Sequence, residues 1–498
     1  MTESRPSLSR KLPLLFQGLL IGLVASVLVT LDTPFNSPPR YDGAGYATLG
    51  WGLAQGQGYR EWHHPDAQPH THFPPGYPLA LAGLFKFAGR SVFAAHVLSI
   101  VLTVSACILY WRWFVPRYGR RTALILGLAL AVNWTWGRTG GTIQSEPLFF
   151  FLGALVLHVE VWSRDKGLAA GLLLGVMLGA CVLTRHVGTC LAMAIVVQGL
   201  MQRRFVAMIG TLLGMGMCLL PWVGWLATSQ NRSQAGLFMG GNLIGLVADQ
   251  TGFYLRRIPD QVMGPVVEIA TVFTRSNLIA GLATTWALLV SGVVVVGWVR
   301  LAGSPRRRLA ALIPGLTFPL LLVWPFTEAG RFLIPLVPFL ILGLAEGLAF
   351  VLSFKMKRSR RFAARLVLLV SLPYPLYSAA TGRAAAQERT HQAFDSACSW
   401  IVAEGNRSGP IVTHYAADLS WQTGRRALEV DTFDHKLFLS ALHRYNVAYV
   451  IVDEQPFANA PPDPAGAAVK AAPGSFILKW GPIQGVSIYE RQHEVEHP

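Results

Sequence analysis

Charge is what this chain has least of. Of its 498 residues only 14% are Asp, Glu, Lys or Arg, and 52% are hydrophobic. Soluble globular proteins carry about 25% charged residues. The deficit excludes one large soluble core and points to a polytopic membrane protein. Cysteine is scarce as well. Cys107, Cys181, Cys190, Cys218 and Cys398 show no CxxC or Cys/His spacing, and four of them lie in apolar runs, which argues against a disulfide framework or a zinc site. No nucleotide-binding domain and no internal repeat are visible. The net charge of +16 does not mark a nucleic-acid partner, because the basic residues fall in short clusters between apolar runs, the pattern by which membrane proteins fix their orientation.

What the chain has in abundance is apolar runs. A membrane helix takes about 20 such residues. By that measure the sequence offers about eleven spans, at roughly 12–31, 92–114, 122–136, 145–163, 167–184, 186–201, 205–227, 278–299, 309–324, 332–354 and 362–379. The first is followed by no clear cleavage site and reads as a retained anchor. Arg5, Arg10 and Lys11 precede the first span; Arg117, Arg120 and Arg121 follow the second; Arg164 and Lys166 follow the fourth. Arg203 and Arg204 follow the sixth, Arg300, Arg306, Arg307 and Arg308 the eighth, and Lys355, Lys357, Arg358, Arg360 and Arg361 the tenth. Every cluster precedes the first span or follows an even-numbered one. Positive residues stay on the cytoplasmic side, so the expectation is a multi-pass protein of the cell (inner or plasma) membrane with its N-terminus inside.

The remaining polar segments then lie outside. The first is a loop at 32–91, the last a tail from about 380. The tail carries β-rich runs (410–415, 447–453, 475–480, 485–490) and a helical stretch at 391–405, and reads as a small α/β domain. The expected organisation is a transmembrane module over 1–379 and an extracytoplasmic domain over 380–498. Within the loop, 42–57 and 76–90 read as interfacial helices, with Asp42 at the start of the first.

The loop is unusually rich for a connector, and its acid is the first candidate for chemistry. Asp42 reads either as a helix-start residue or as a general base at the membrane surface. Glu146 opens an aromatic span. An acid so close to hydrocarbon is a functional hypothesis, beside the plainer reading of Ser145 as a cap with Glu146 and Pro147 in the first turn. Arg138, Arg185 and Arg331 all fall on the expected outer side, where orientation does not explain them. Each suits phosphate or snorkels to headgroups. His63, His64, Asp66, His70 and His72 form a cluster whose spacing matches no metal motif and reads foremost as a surface loop. Tyr59, Trp62 and Phe73 can stack on a sugar or belong to an aromatic belt.

At these residues the chain resembles the GT-C membrane glycosyltransferases, in particular bacterial relatives of the protein O-mannosyltransferases and of the lipid A aminoarabinose transferase. The resemblance lies in Tyr41-Asp42-Gly43-Ala44-Gly45-Tyr46, the following Leu53 to Tyr59, Pro74-Pro75-Gly76-Tyr77-Pro78, Ser145-Glu146-Pro147, Leu183-Thr184-Arg185, Gly330-Arg331 through Pro338, and a tail run from Val412 to Arg425. The pieces occur in order over most of the chain. The resemblance implies transfer of a sugar from a polyprenyl-phosphate carrier to a lipid, glycan or protein acceptor on the outer face. It implies Asp42 and Glu146 as the acids and Arg185 or Arg331 against the lipid phosphate, with Arg138, His72, Tyr46 and Tyr59 as further binding candidates. Where protein O-mannosyltransferases have a second acid, this chain has Gly43. Where the lipid A branch has a lysine before Pro-Pro, it has Phe73 preceded by His72. Sugar and acceptor are therefore not carried over. No cofactor is assigned, and a divalent metal stays open. The rival readings are a lipid-linked sugar transporter or flippase, which calls for ionisable residues near mid-membrane, and a silent scaffold whose tail binds a partner.

Overall fold

The computed structural model describes residues 8–229, 243–273, 276–325, 327–353, 359–381, 391–454 and 463–492. The basic residues Arg5, Lys355, Lys357 and Arg358 lie outside them. In chain order the helices are α1 (Leu8–Leu31), α2 (Asp42–Ala54), α3 (Gly76–Ala88), α4 (Val92–Tyr118), α5 (Arg120–Ala131), α6 (Trp134–Gly140), α7 (Ser145–Ser163), α8 (Gly167–Thr184), α9 (Gly188–Met201) and α10 (Phe205–Thr228). There follow α11 (Leu243–Met263), α12 (Val266–Glu268), α13 (Asn277–Ala302), α14 (Leu309–Val323), a 3-10 segment (Glu328–Leu336), α15 (Val337–Ser353), α16 (Ser359–Ser371) and α17 (Pro373–Thr381). The tail adds α18 (Gln392–Ala403), β1 (Ile411–Val412), α19 (Ala416–Thr423), β2 (Ala427–Leu428), α20 (His435–Arg444), β3 (Tyr449–Asp453), α21 (Pro464–Ala471), β4 (Phe476–Ile483) and β5 (Val486–Arg491). The chain divides into two compact units. One comprises 1–33, 74–76 and 96–383; the other comprises 34–73, 77–95 and 384–498.

The first unit is a helical bundle. Among the described residues, seven helical runs are long and apolar enough to cross a membrane: α1, α4, α7, α8, α10, α13 and Gly330–Ser353. Helices α9 and α14 are apolar but shorter. The spans expected at 122–136 and 362–379 are broken. The first divides into α5 and α6 at Asn133, whose side chain accepts the Trp136 N–H and caps α6, as Asn does well. The second breaks before Pro373, whose ring disfavours helix at the residue ahead of it. The polar stretch at 228–277 holds the 21-residue α11. This helix packs into the bundle through Gln250, which donates to the Trp324 carbonyl at 2.9 Å, and through its Leu255 carbonyl, which accepts from Ser291 at 2.6 Å.

Helices α8 and α10 approach until backbones touch. A Cβ on Gly175 would sit 2.1 Å from the Thr211 carbonyl oxygen, and one on Gly214 would sit 2.2 Å from that of Leu172. Gly171 and Gly175 on α8 face Gly210 and Gly214 on α10, the small-residue spacing that lets membrane helices pack without large side chains.

The basic clusters are gathered by buried acids. Glu160 pairs with Arg164 at 2.9 Å and Arg204 at 3.2 Å; Glu346 pairs with Arg307 at 2.6 Å and Arg360 at 3.2 Å. Arg117 donates to the Arg306 carbonyl at 3.1 Å. Clusters far apart in sequence thus meet at one end of the bundle, as a consistent threading of the spans requires.

The second unit contains a five-stranded sheet of order β2-β1-β3-β5-β4. β1 runs parallel to β2 and β3, and β5 antiparallel to β3 and β4. Along β3, Tyr449 and Ile451 pack on one side with Phe394, Ala397 and Ile401 of α18. Val450 and Val452 pack on the other with Phe438 and Leu442 of α20 and Ala468 of α21. A strand covered on both faces reads as one unbroken apolar run, which is what 447–452 shows.

Candidate functional sites

The first site is an arginine centre in the helical unit. Glu146 stands in the first turn of α7, where the helix dipole favours an acid. The turn begins one residue earlier than expected, with Gln144 rather than Ser145 at the cap position. Glu146 is fully buried. Its Oε1 accepts from Arg185 Nη1 at 2.8 Å and Arg331 Nε at 2.6 Å. Arg185 follows the last turn of α8 in extended backbone and also donates to Ser145 Oγ at 2.9 Å. Arg331 comes from the 3-10 segment. Its other nitrogens reach Gln144 and, at 3.3 Å, the half-exposed Glu328. Gly330, at φ +85°, turns the chain into position just before it. Two arginines thus share one carboxylate oxygen, and Glu328 stands as a second acid on Arg331. Glu146 Oε2 is buried with no hydrogen-bond partner among the described residues, which leaves an acceptor for a hydroxyl or a water.

The second site is an acid-lined cavity in the other unit. Asp42 is the first residue of α2, half-buried, and lines a cavity of ≈ 390 Å³. His72 and Phe73 from the same loop share the wall, as do Tyr415, Asp418 and Glu429 from the tail. The residue before Asp42 is strained. Tyr41 has φ 49° and ψ −126° and no side-chain cap bond. Its N–H donates to both oxygens of Asp418, each at 3.2 Å. Arg40 pairs with Asp395 of α18 at 2.5 Å, and Gln422 donates to the same carboxylate at 3.0 Å. Burial holds Asp418 up at about 7, against the pull of Arg40 and of the Tyr41 N–H. Burial likewise pushes His63 down to about 4.

The loop histidines serve this cavity differently. His70 Nε2 accepts the Phe73 N–H at 2.8 Å, so the ring proton is on Nδ1, which lies 3.1 Å from Glu61. His70 is a buried strut under Phe73. The Tyr59 hydroxyl donates to the Phe73 carbonyl at 2.8 Å, and the Tyr46 ring lies 4.3 Å from that of Phe73. Both tyrosines stand behind the wall that Phe73 presents. His63 and its neighbours follow the tail: the His63 carbonyl accepts from Ala427 N–H at 2.7 Å, and Asp66 accepts from Tyr445 at 2.8 Å. Among the described residues no group of three or more His, Cys, Asp or Glu side chains is placed to hold a metal ion.

The structure therefore groups Glu146 with Arg185 and Arg331, and Asp42 with His72. Arg138, on α6, has Glu268 and Asp32 as its neighbouring charges and does not pair with Glu146. Sequence reasoning missed Asp418, Tyr41 and Glu61. The only signal for Asp418 was its place three residues after Tyr415 in the tail run that resembled other outer domains.

Comparison with known proteins bears on the fold. Residues 72–227 match the family described as dolichyl-phosphate-mannose-protein mannosyltransferase. Among solved structures, ArnT from Cupriavidus metallidurans bound to undecaprenyl phosphate aligns with a TM-score of 0.51 and 14% identity, over 96% of this chain and 99% of that one. The oligosaccharyltransferase of Archaeoglobus fulgidus, tethered to an acceptor peptide, aligns with a TM-score of 0.57 and 13% identity, over 88% of this chain and 69% of that one. No curated protein sequence matches the chain.

Proposed function

We propose that this chain, which has the fold of the GT-C glycosyltransferases, transfers a sugar from a polyprenyl-phosphate carrier to an acceptor hydroxyl, with Asp42 as general base. The observation that carries the reading is the place of Asp42, at a helix start and on the wall of a cavity wide enough for a sugar. A carboxylate there takes the proton of the acceptor hydroxyl as its oxygen attacks the anomeric carbon. The bond from that carbon to the phosphate oxygen breaks, and the carrier leaves as a phosphate anion. A single displacement inverts the anomeric centre.

The leaving group asks for fixed positive charge. Arg185 and Arg331 supply it, and Glu146 acts as the residue that positions both. The ArnT structure holds undecaprenyl phosphate, which supports a carrier of that class. The sugar is bound in the acid-lined cavity, with His72 and Phe73 beside it. The basic clusters support an active site on the outer face of the cell membrane. Assay with EDTA and with added Mg²⁺ or Mn²⁺ tests whether a divalent ion takes part.

The test uses membranes containing the wild-type chain or Asp42→Asn, supplied with undecaprenyl-phosphate mannose carrying a radiolabel, and with the glucose and aminoarabinose counterparts. Label reaching lipid, glycan or protein is the readout. Loss of a general base costs about 10²- to 10⁴-fold, and that loss is expected for Asp42→Asn. Wild-type rates in the variant would remove Asp42 from the role.

A further inference from the structure

The cavity has a feature that base chemistry does not need: a strained peptide on one side of Asp42 and a tail carboxylate gripping it. We infer that Asp418 is the positioning residue for Asp42, acting through the Tyr41 peptide. The inference rests on the reading of Asp42 given above.

Four observations meet here. Tyr41 has a Cβ and yet sits at φ 49°, a conformation that persists only where the surroundings impose it. Both oxygens of Asp418 take its N–H at 3.2 Å, and Asp418 is buried, so its lone pairs have little water to turn to. The Tyr41 ring is bracketed by Tyr415 at 5.6 Å and His391 at 5.5 Å, both from the tail. The preceding residue, Arg40, is pinned to Asp395. The tail thus holds residues 40 and 41 from several directions, and the next residue is Asp42. Without the Asp418 acceptor, Tyr41 relaxes toward negative φ. The peptide joining it to Asp42 then rotates, and the first turn of α2 carries the carboxylate with it. A displacement near 1 Å at a reacting group is enough to cost on the order of 10²-fold in rate.

A plainer role exists for Asp418, as an acid in the first turn of α19 that steadies its own helix. The two roles separate in a double-mutant cycle. Glycine adopts positive φ without a Cβ clash, so Tyr41→Gly removes the need for the grip but leaves the helix-start role untouched. Four full-length variants are compared with wild type in membranes, on the labelled undecaprenyl-phosphate sugar that wild type uses: Asp418→Ala, Asp418→Asn, Tyr41→Gly and Tyr41→Gly/Asp418→Ala.

Asp418→Ala is expected to lower kcat by about 10- to 100-fold with KM little changed. Asp418→Asn keeps an acceptor oxygen and recovers most of the rate. In the Tyr41→Gly background, Asp418→Ala costs less than about threefold relative to that background's own rate. An equal cost in both backgrounds overturns the inference, as does an Asp418→Asn variant as slow as Asp418→Ala. If Asp418→Ala does not accumulate, Asp418→Asn and the double variant still decide. The same cycle read on melting temperature reports the Tyr41–Asp418 coupling without reference to catalysis. Coupling present there, together with an active Asp42→Asn, keeps the grip and discards the base; no coupling in either readout discards the grip alone.

Discussion

At the scale of single residues, one carboxylate oxygen organises the arginine centre. Removing Glu146 leaves Arg185 and Arg331 facing each other without their shared partner. Breaking a buried pair in this way typically costs about 3–5 kcal/mol, so Glu146→Ala is expected to lower the melting temperature of the purified protein well beyond Glu328→Ala, which removes a half-exposed acid. Arg331→Lys keeps the charge but loses the fork that spans Glu146 and Gln144; reduced transfer with retained folding is the expected result. Asp418 gives a pH signature. Its pKa is raised from 3.8 to about 7 in the folded protein, so the folded state keeps a proton that the unfolded chain releases. The stability this provides is complete below about pH 4 and is lost as pH rises to about 7, at up to about 1.4 kcal/mol per pH unit. Asp418→Asn does not titrate, and its melting temperature should fall less than wild type's across that window. His63, pushed down to about 4, titrates with the opposite sense and cancels in the comparison. Glu146, Arg185 and Arg331 were legible in the sequence because each is a charge at the end of an apolar run, where hydrocarbon makes it expensive. Asp418 was not, because an acid in a short amphipathic helix is unremarkable until a peptide 377 positions away is found against it.

At the scale of elements, the apolar runs carried most of the fold. Runs at 145–163 and 167–184 became α7 and α8 with the same bounds, since nothing in them competes with a helix. Where the sequence misled, short-range chemistry interrupted or disguised the pattern. Asn133 and Pro373 broke runs that hydropathy alone joins. α11 hid in a polar stretch because Asp249, Arg256, Arg257 and Asp260 dilute its apolar face; Asp260 is in fact used, accepting the Val267 N–H at 2.8 Å and the Glu268 N–H at 3.0 Å to start α12. The α8–α10 contact makes the sharpest prediction at this scale. Gly175→Leu drives a side chain into the Thr211 carbonyl, whereas Gly216, with nothing within 4 Å of its Cβ position, tolerates Ala. Thermal inactivation in detergent should separate the two variants clearly, the first losing several degrees and the second keeping wild-type behaviour.

At the scale of the whole molecule, threading is the property most open to measurement. With native cysteines replaced, a cysteine at exposed Asn406 should react with a membrane-impermeant maleimide added to intact cells, and one at exposed Arg306 only after the membrane is opened. The reverse pattern would invert the orientation read from the basic clusters. The sequence offers a reading at this scale because orientation follows lysine and arginine counts. It said little about how far apart the charged ends of the bundle lie, since that depends on how helices pair. Glu146 and Glu160 stand at opposite ends of α7, fourteen positions apart in sequence, which is about 21 Å of helix. A typical hydrocarbon slab is about 30 Å deep. Charge at both ends of so short a stretch is tolerated because each acid is buried in ion pairs with arginines and is not offered to lipid. A protein with charge so closely spaced along one span is expected to favour thin membranes, and bilayers of long-chain lipid should lower its melting temperature where short-chain bilayers do not.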